Sequence, residues 1–319
     1  MKRLRKHDLM IASAIALLSS TGSQAATNFT FDYSDASNMS FWTQPRMDSL
    51  DRAAAVVSSY FSNYTANVQL MVTSQNDMST TLASAGSSGT GVFTPGFGSS
   101  DVVMNKILTG IDDNAAAADG TVTVNWGQAW NLSANPADVP NNQYDFESTM
   151  IHELFHAVGF SSSITAAGKD GYNTPTGMAG DWSPFDRYVG DSSGLLINQT
   201  TFVMNETGYA ASAVGGAGAL GLSFQGPNTM AANGGMPLFI YTPNPYEEGS
   251  SGSHTDDQQP GYNFIMNAAT NFGPGVRTLS AQEIGLLQDI GYLNIVPEPS
   301  SALLSGLAAV ALLARRRRI

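Results

Sequence analysis

An α+β fold is predicted for the body of this 319-residue chain. Three observations point to it. Apolar residues fall at helical spacing over 45–60 and again after Asp145, while 67–72 and 121–126 alternate as strands do. After residue 160 the periodicity fades into Ser, Gly, Ala and Asn, and a single clear helix closes the region at 280–292. The expected architecture is therefore a sheet packed with helices, the last of them chemically loaded, over 26–159. An irregular subdomain ending in a helix follows over 160–295.

Taken in order, residues 1–25 read as a signal peptide. Lys2, Arg3, Arg5 and Lys6 precede a short apolar run, 9–20, and Ser23, Gln24 and Ala25 form a small-residue cleavage site. The run is too short for a helix that spans a bilayer. In 45–60, Leu50, Ala54, Val57 and Phe61 share one helical face. The segment 80–100 is rich in Gly, Ser and Thr and reads as loop; 101–108 suits either a strand or a short helix. Residues 121–126 are β-branched and alternating, and 131–144 read as loop. Asp145 can cap a helix that buries Met150, Ile151, Leu154, Phe155 and Val158, and Gly159 can end it in left-handed geometry. Beyond it, 182–188 reads as a packed turn or short strand and 238–241 as a strand. Ser280 and Glu283 form a capping box ahead of Ile284, Leu287 and Ile290.

Residues 296–319 form a second address. Val296, Pro297, Glu298 and Pro299 precede an apolar stretch, 302–314, and then Arg315 to Arg318. The stretch is short for a stable span, and a plain tail anchor is the alternative reading. The order of the three parts resembles the PEP-CTERM sorting signal of Gram-negative bacteria. That resemblance implies export, transient membrane contact through this segment, and processing by an exosortase-type enzyme. The expected destination is the medium, the cell surface or the extracellular matrix.

Without the two addresses the chain keeps 6 basic residues (Arg46, Arg52, Lys106, Lys169, Arg187, Arg277) against 24 acidic ones. A difference of 18 negative charges excludes a basic nucleic-acid-binding face and leaves room for calcium, with Asp112, Asp113, Asp256 and Asp257 the nearest thing to acidic clusters. There is no cysteine, so stability must come from a core rather than from disulfides.

The chemistry lies in His152-Glu153-Leu154-Phe155-His156. Residues four apart stand one turn apart on the same helical face, so two imidazoles can reach one Zn²⁺ while Glu153 beside them can take a proton from water. The chain has four histidines: His7, His152, His156 and His254. His7 falls in the signal peptide, and a catalytic zinc site uses three protein ligands with one position open. His254 is then the candidate third ligand. A carboxylate, Asp186 or Glu206, is the alternative.

His152-Glu153-x-x-His156-x-x-Gly159 resembles the metzincin zinc proteases. Their common pattern has a third histidine three residues beyond the glycine, where this chain has Ser162. Leishmanolysin-like members instead insert a long segment before that histidine and place a methionine turn shortly after it, as His254 and Met266 stand here. The closing segment 279–292 is similar to the terminal helix of bacterial proteases of this type. The resemblance implies a metzincin-like α+β fold, with an N-terminal twisted sheet, two helices and an active-site helix followed by an irregular subdomain ending in a helix, and a zinc endopeptidase acting on protein or peptide substrates. His152, His156 and His254 would hold the metal, Glu153 would be the general base and acid, Met266 would pack beneath the metal, and 121–126 would be the strand that pairs with substrate. The tyrosine ligand of some branches is replaced by Ala268, so Tyr241 and Tyr262 have no assigned role. The reading from a different class is an inert surface or matrix binding protein that keeps a protease fold.

Overall fold

The chain is α+β. The computed structural model describes residues 26–35, 39–98 and 101–295. Strands β1 (Thr27–Asp32), β2 (Ala66–Gln75), β3 (Ala83–Ser87) and β4 (Gly120–Asn125) form one sheet in the order β1-β2-β4-β3. β1, β2 and β4 are mutually parallel, and β3 runs antiparallel to β4 at the edge. Helices α1 (Gln44–Tyr60), α2 (Val102–Thr109) and α3 (Phe146–Ala157) accompany it.

The alternation in β2 and β4 has a direct cause. Val68, Leu70, Val72, Val122 and Val124 are fully buried, whereas Asn67, Gln69, Met71 and Thr121 on the other face are exposed. Each such aliphatic side chain contributes roughly 1.5–3 kcal/mol. α1 buries Leu50, Ala53, Ala54 and Val57 as its spacing predicts, and Tyr60 meets Phe155 of α3 edge-on at 5.7 Å. Residues 101–108, ambiguous in sequence, are mainly helix α2, closed by Gly110 in left-handed geometry.

Two expectations need correction. The segment 80–100 is not all loop, because β3 lies within it. Its sequence, Ala-Ser-Ala-Gly-Ser, carries no strand pattern, and pairing with β4 alone makes it a strand. It follows that 121–126 is not the edge that could receive a substrate. β4 is flanked by β2 and β3, and the free edge on that side is β3.

A short parallel pair, β5 (Trp130–Asn131) with β6 (Tyr144–Asp145), leads into α3. Asp145 caps α3 by accepting the Ser148 N–H at 3.1 Å. The same carboxylate, fully buried, takes a two-pronged ion pair from Arg277 (2.8 and 3.0 Å), and Arg277 also reaches Glu147 at 3.0 Å. At its other end α3 closes as a Schellman turn. The Phe160 N–H bonds to the Phe155 carbonyl and the Gly159 N–H to the His156 carbonyl, with Gly159 at φ 100°. The Tyr292 hydroxyl donates to the Val158 carbonyl at 2.8 Å. α3 is thus held at both ends by residues 277–292.

Beyond α3 regular structure is sparse. β7 (Val189–Asp191), β8 (Gly194–Leu195), β9 (Ser223–Phe224) and β10 (Leu238–Phe239) make a small sheet in the order β10-β9-β7-β8. α4 (Glu206–Ser212), α5 (Pro227–Ala232) and α6 (Ala281–Asp289) complete the helices. The expected strand at 238–241 is β10, and 182–188 contains a 3-10 turn, Asp186–Tyr188. The capping box at α6 is formed in both directions.

Single aspartates hold these loops. Buried Asp186 accepts from the hydroxyls of Ser162 (2.6 Å) and Ser163 and from the Ser183 N–H (3.0 Å). Asp170 accepts from Thr174 and from the Asp181 N–H, and Asp289 takes four donors from Asn228 and Thr229 at the start of α5. No helix among the described residues is long and apolar enough to cross a membrane.

Candidate metal centre

α3 presents His152, Glu153 and His156 to a cleft of about 460 Å³. His254 arrives from a different part of the chain and completes a triangle. The Nε2 atoms lie 3.0 Å apart for His156–His152, 3.0 Å for His156–His254 and 3.2 Å for His152–His254.

Local pairing brings His254 there. The Tyr241 N–H bonds to the His254 carbonyl at 2.9 Å and the Thr255 N–H to the Met266 carbonyl at 2.8 Å, so Thr255, directly after His254, forms a strand-like rung between 240 and 267. Ser253, just before His254, accepts the Ser162 N–H at 3.1 Å. The position where a shorter pattern would put a histidine is therefore tied directly to the loop that supplies one.

Every ring has its Nδ1 against a main-chain carbonyl: His152 on Ile265 (2.6 Å), His156 on Phe160 (2.7 Å) and His254 on Ser250 (2.8 Å). A carbonyl only accepts, so each Nδ1 carries a proton. In the neutral ring, Nε2 is then a bare lone pair. Burial favours that neutral form. It pushes His152 down to about 4 and His254 to about 3, and it holds His156 well below the usual histidine value. Three lone pairs converging at 3.0–3.2 Å repel one another unless a cation lies among them. Three nitrogens around a tetrahedral zinc at about 2.0–2.1 Å stand about 3.3 Å apart, close to this spacing. The donor set and its outer carbonyls fit zinc. Among the described residues, these histidines are the only set of three or more His, Asp or Glu side chains whose ligand atoms all lie within 4.8 Å of one another.

Glu153 is buried beside the triad. Burial pushes its carboxyl up to about 8, opposed by a hydrogen bond from the Ala85 N–H of β3. The cleft is lined by 80–85, Tyr144, Thr149, Ser161, 247–250 and 267–270 as well as by the site residues. β3 and the loop 247–250 line the cleft beside the histidines, a placement that motif reading misses, since neither has a pattern of its own.

The alternative ligands lie elsewhere. Asp186 is committed to Ser162, Ser163 and Ser183, and Glu206 pairs with Lys169 at 2.6 Å. Of the acidic residues considered for calcium, Asp112 pairs with Lys106, Asp113 accepts from Asn105, and Asp256 accepts from Gly218, Gln258 and Gln259. Tyr241 donates to Glu247 and Tyr262 stacks near Phe264, and neither lines the cleft. Met266 is fully buried directly after the Ile265 carbonyl that holds His152.

Residues 296–318 match the family model described as the PEP-CTERM protein-sorting motif. The chain carries a PEP-CTERM sorting motif. Such motifs are recognised by exosortase-type enzymes, and they mark extracytoplasmic, sorted proteins of Gram-negative bacteria. No curated protein matches the chain. The matched residues, the apolar stretch 302–314 read as a membrane contact, and the signal-peptide reading of 1–25 all fall outside the described residues.

Proposed function

We propose that this protein is an exported zinc-dependent endopeptidase of the metzincin type, leishmanolysin-like in the long segment before its third histidine. The observation that carries this function is the convergence of three Nε2 lone pairs beside the carboxylate of Glu153, on the wall of an open cleft. A purely structural metal site has no use for that carboxylate, and its place next to the cleft suits water activation.

His152, His156 and His254 would hold the metal. Bound zinc supplies a Lewis acid that makes water acidic near neutral pH and polarises a carbonyl. Glu153 removes the proton from the attacking water and returns it to the leaving amine nitrogen, acting as base and then as acid. Burial raises its proton affinity, and the neighbouring Ala85 N–H of β3 opposes that rise.

The peptide substrate is positioned by β3. Ser88 and Leu82 direct backbone groups at β4, through Ser88 N–H to Asp119 and Asn125 N–H to Leu82. Ala83 and Ala85, of opposite parity, therefore direct theirs away from β4, and both line the cleft; with the Ala85 N–H turned to Glu153, the Ala83 N–H and the two carbonyls are the groups that face a peptide. An extended peptide can add there as a further strand.

The test is cleavage of an unfolded protein by purified material of known metal content. One zinc per chain is expected, with hydrolysis abolished by a chelator and restored by zinc. Zinc-loaded protein that cleaves no unfolded substrate would favour the inert binding protein instead.

A further inference from the structure

Glu283 has two duties. As the capping-box residue of α6 it accepts the Ser280 N–H at 2.7 Å through Oε2. Through Oε1 it accepts the Met266 N–H at 2.8 Å. Its side chain is fully buried, and none of the ion pairs among the described residues involves it.

The Met266 N–H and the Ile265 carbonyl belong to one peptide group. On its far side that carbonyl takes the Nδ1–H of His152 at 2.6 Å, the shortest of the three ligand-orienting bonds. The order is carboxylate, peptide, imidazole. A carboxylate that accepts an amide N–H shifts electron density onto the amide oxygen, which then holds its own donor more strongly. Stronger acceptance at Nδ1–H makes the Nε2 lone pair more basic. The peptide that serves His254 differs. Its N–H, on Ser251, goes to the main-chain carbonyl of Glu247, a neutral acceptor.

We propose that Glu283 is a positioning residue for His152. Through the single peptide group between Ile265 and Met266 it fixes the ring's orientation and strengthens Nε2 as a metal donor. The proposal rests on the zinc reading of the triad, and its test separates the two.

The experiment uses the purified protein and Zn²⁺ alone, with affinity read by chelator competition. Glu283→Gln, which keeps the shape but not the charge, should weaken zinc by about 10- to 100-fold. Ser280→Ala, which damages the cap but leaves the carboxylate on Met266, should lower thermal stability without changing zinc affinity. Equal affinity in wild type and Glu283→Gln overturns the proposal. So does a loss in Ser280→Ala as large as that in Glu283→Gln, since it would make the effect one of helix capping. The second measurement needs neither a variant nor metal. In the chelated wild-type protein the His152 Nδ1–H proton resonance should lie further downfield than that of His254, and the reverse order overturns the proposal. If wild type binds no zinc, the proposed function fails while this resonance test still decides the role of Glu283.

Discussion

His156 and His254 reach the same point by different means. His156 stands on a regular helix whose two ends are fixed, at Asp145 by Arg277 and at Gly159 by a Schellman turn. The turn does double duty, because the Phe160 carbonyl it redirects is the one that holds the His156 ring. His254 stands almost a hundred residues later, in a region of two- and three-residue strands. There, buried Asp170 and Asp186 and the partly exposed Asp289 gather hydroxyl and N–H donors from several loops. The N-terminal half is ordered by apolar periodicity against a sheet face. The C-terminal half, without a disulfide, sends apolar residues such as Phe185, Phe224, Leu238 and Ile240 into the same core and adds polar nodes where its loops meet. The three histidines come from both halves, so their convergence depends on both.

The largest expected effect tests the helix side. Glu153→Gln should keep its zinc and lose about 10²- to 10⁴-fold in hydrolysis, the usual contribution of a positioned general base. Activity near wild type would remove Glu153 from the mechanism.

The next pair sets the two halves against each other. Asp186→Ala strips partners from Ser162, Ser163 and Ser183 in a buried place and should cost about 3 kcal/mol or more. Because Ser162 is also tied to Ser253, zinc affinity should fall with it. Leu70→Ala, in the sheet, should cost a similar 2–5 kcal/mol and leave zinc affinity unchanged. Denaturant titration beside zinc competition distinguishes them. Equal zinc affinities in the two variants would mean that the node does not reach the metal site.

Gly159→Ala should destabilise by about 1–3 kcal/mol, because the position needs φ near 100° and a Cβ would lie 3.3 Å from the Met104 sulfur. Thermal unfolding measures it, and an unchanged midpoint would contradict the turn's role.

The remaining test is one of pH. The three rings have proton affinities below the unfolded value, so in chelated protein the unfolded chain takes protons first as pH falls. Their contribution to stability should be intact above pH 6.5. Below it, that contribution should decline by about 1.4 kcal/mol per pH unit for each ring that must stay neutral. Removing one ring, in His254→Ala, should flatten the slope between pH 6.5 and 5. An identical slope would show that these histidines are not the source.

How far this was legible follows the same divide. α3 and α6 carry periodicity, an N-cap and, in α6, a capping box, and both form where these signals lie. β1 had a signal as well, the alternation of Phe29 and Phe31 in Thr-Asn-Phe-Thr-Phe-Asp. β3 had none, since small residues become a strand only when β4 supplies a partner. His254 could be picked by counting histidines, but the rung that places it, between 240 and 267, joins residues whose own sequence shows no ladder. The node at Asp186 was open to misreading as a ligand, because a buried carboxylate amid serines looks the same in sequence whether it serves a metal or hydroxyls.

Zinc content of His254→Ala, measured beside wild type after identical purification and dialysis, tests the convergence most directly. One zinc per chain in wild type and a loss of bound zinc in the variant are predicted. Stoichiometric zinc held with unchanged affinity after removal of that ring would contradict the three-histidine centre.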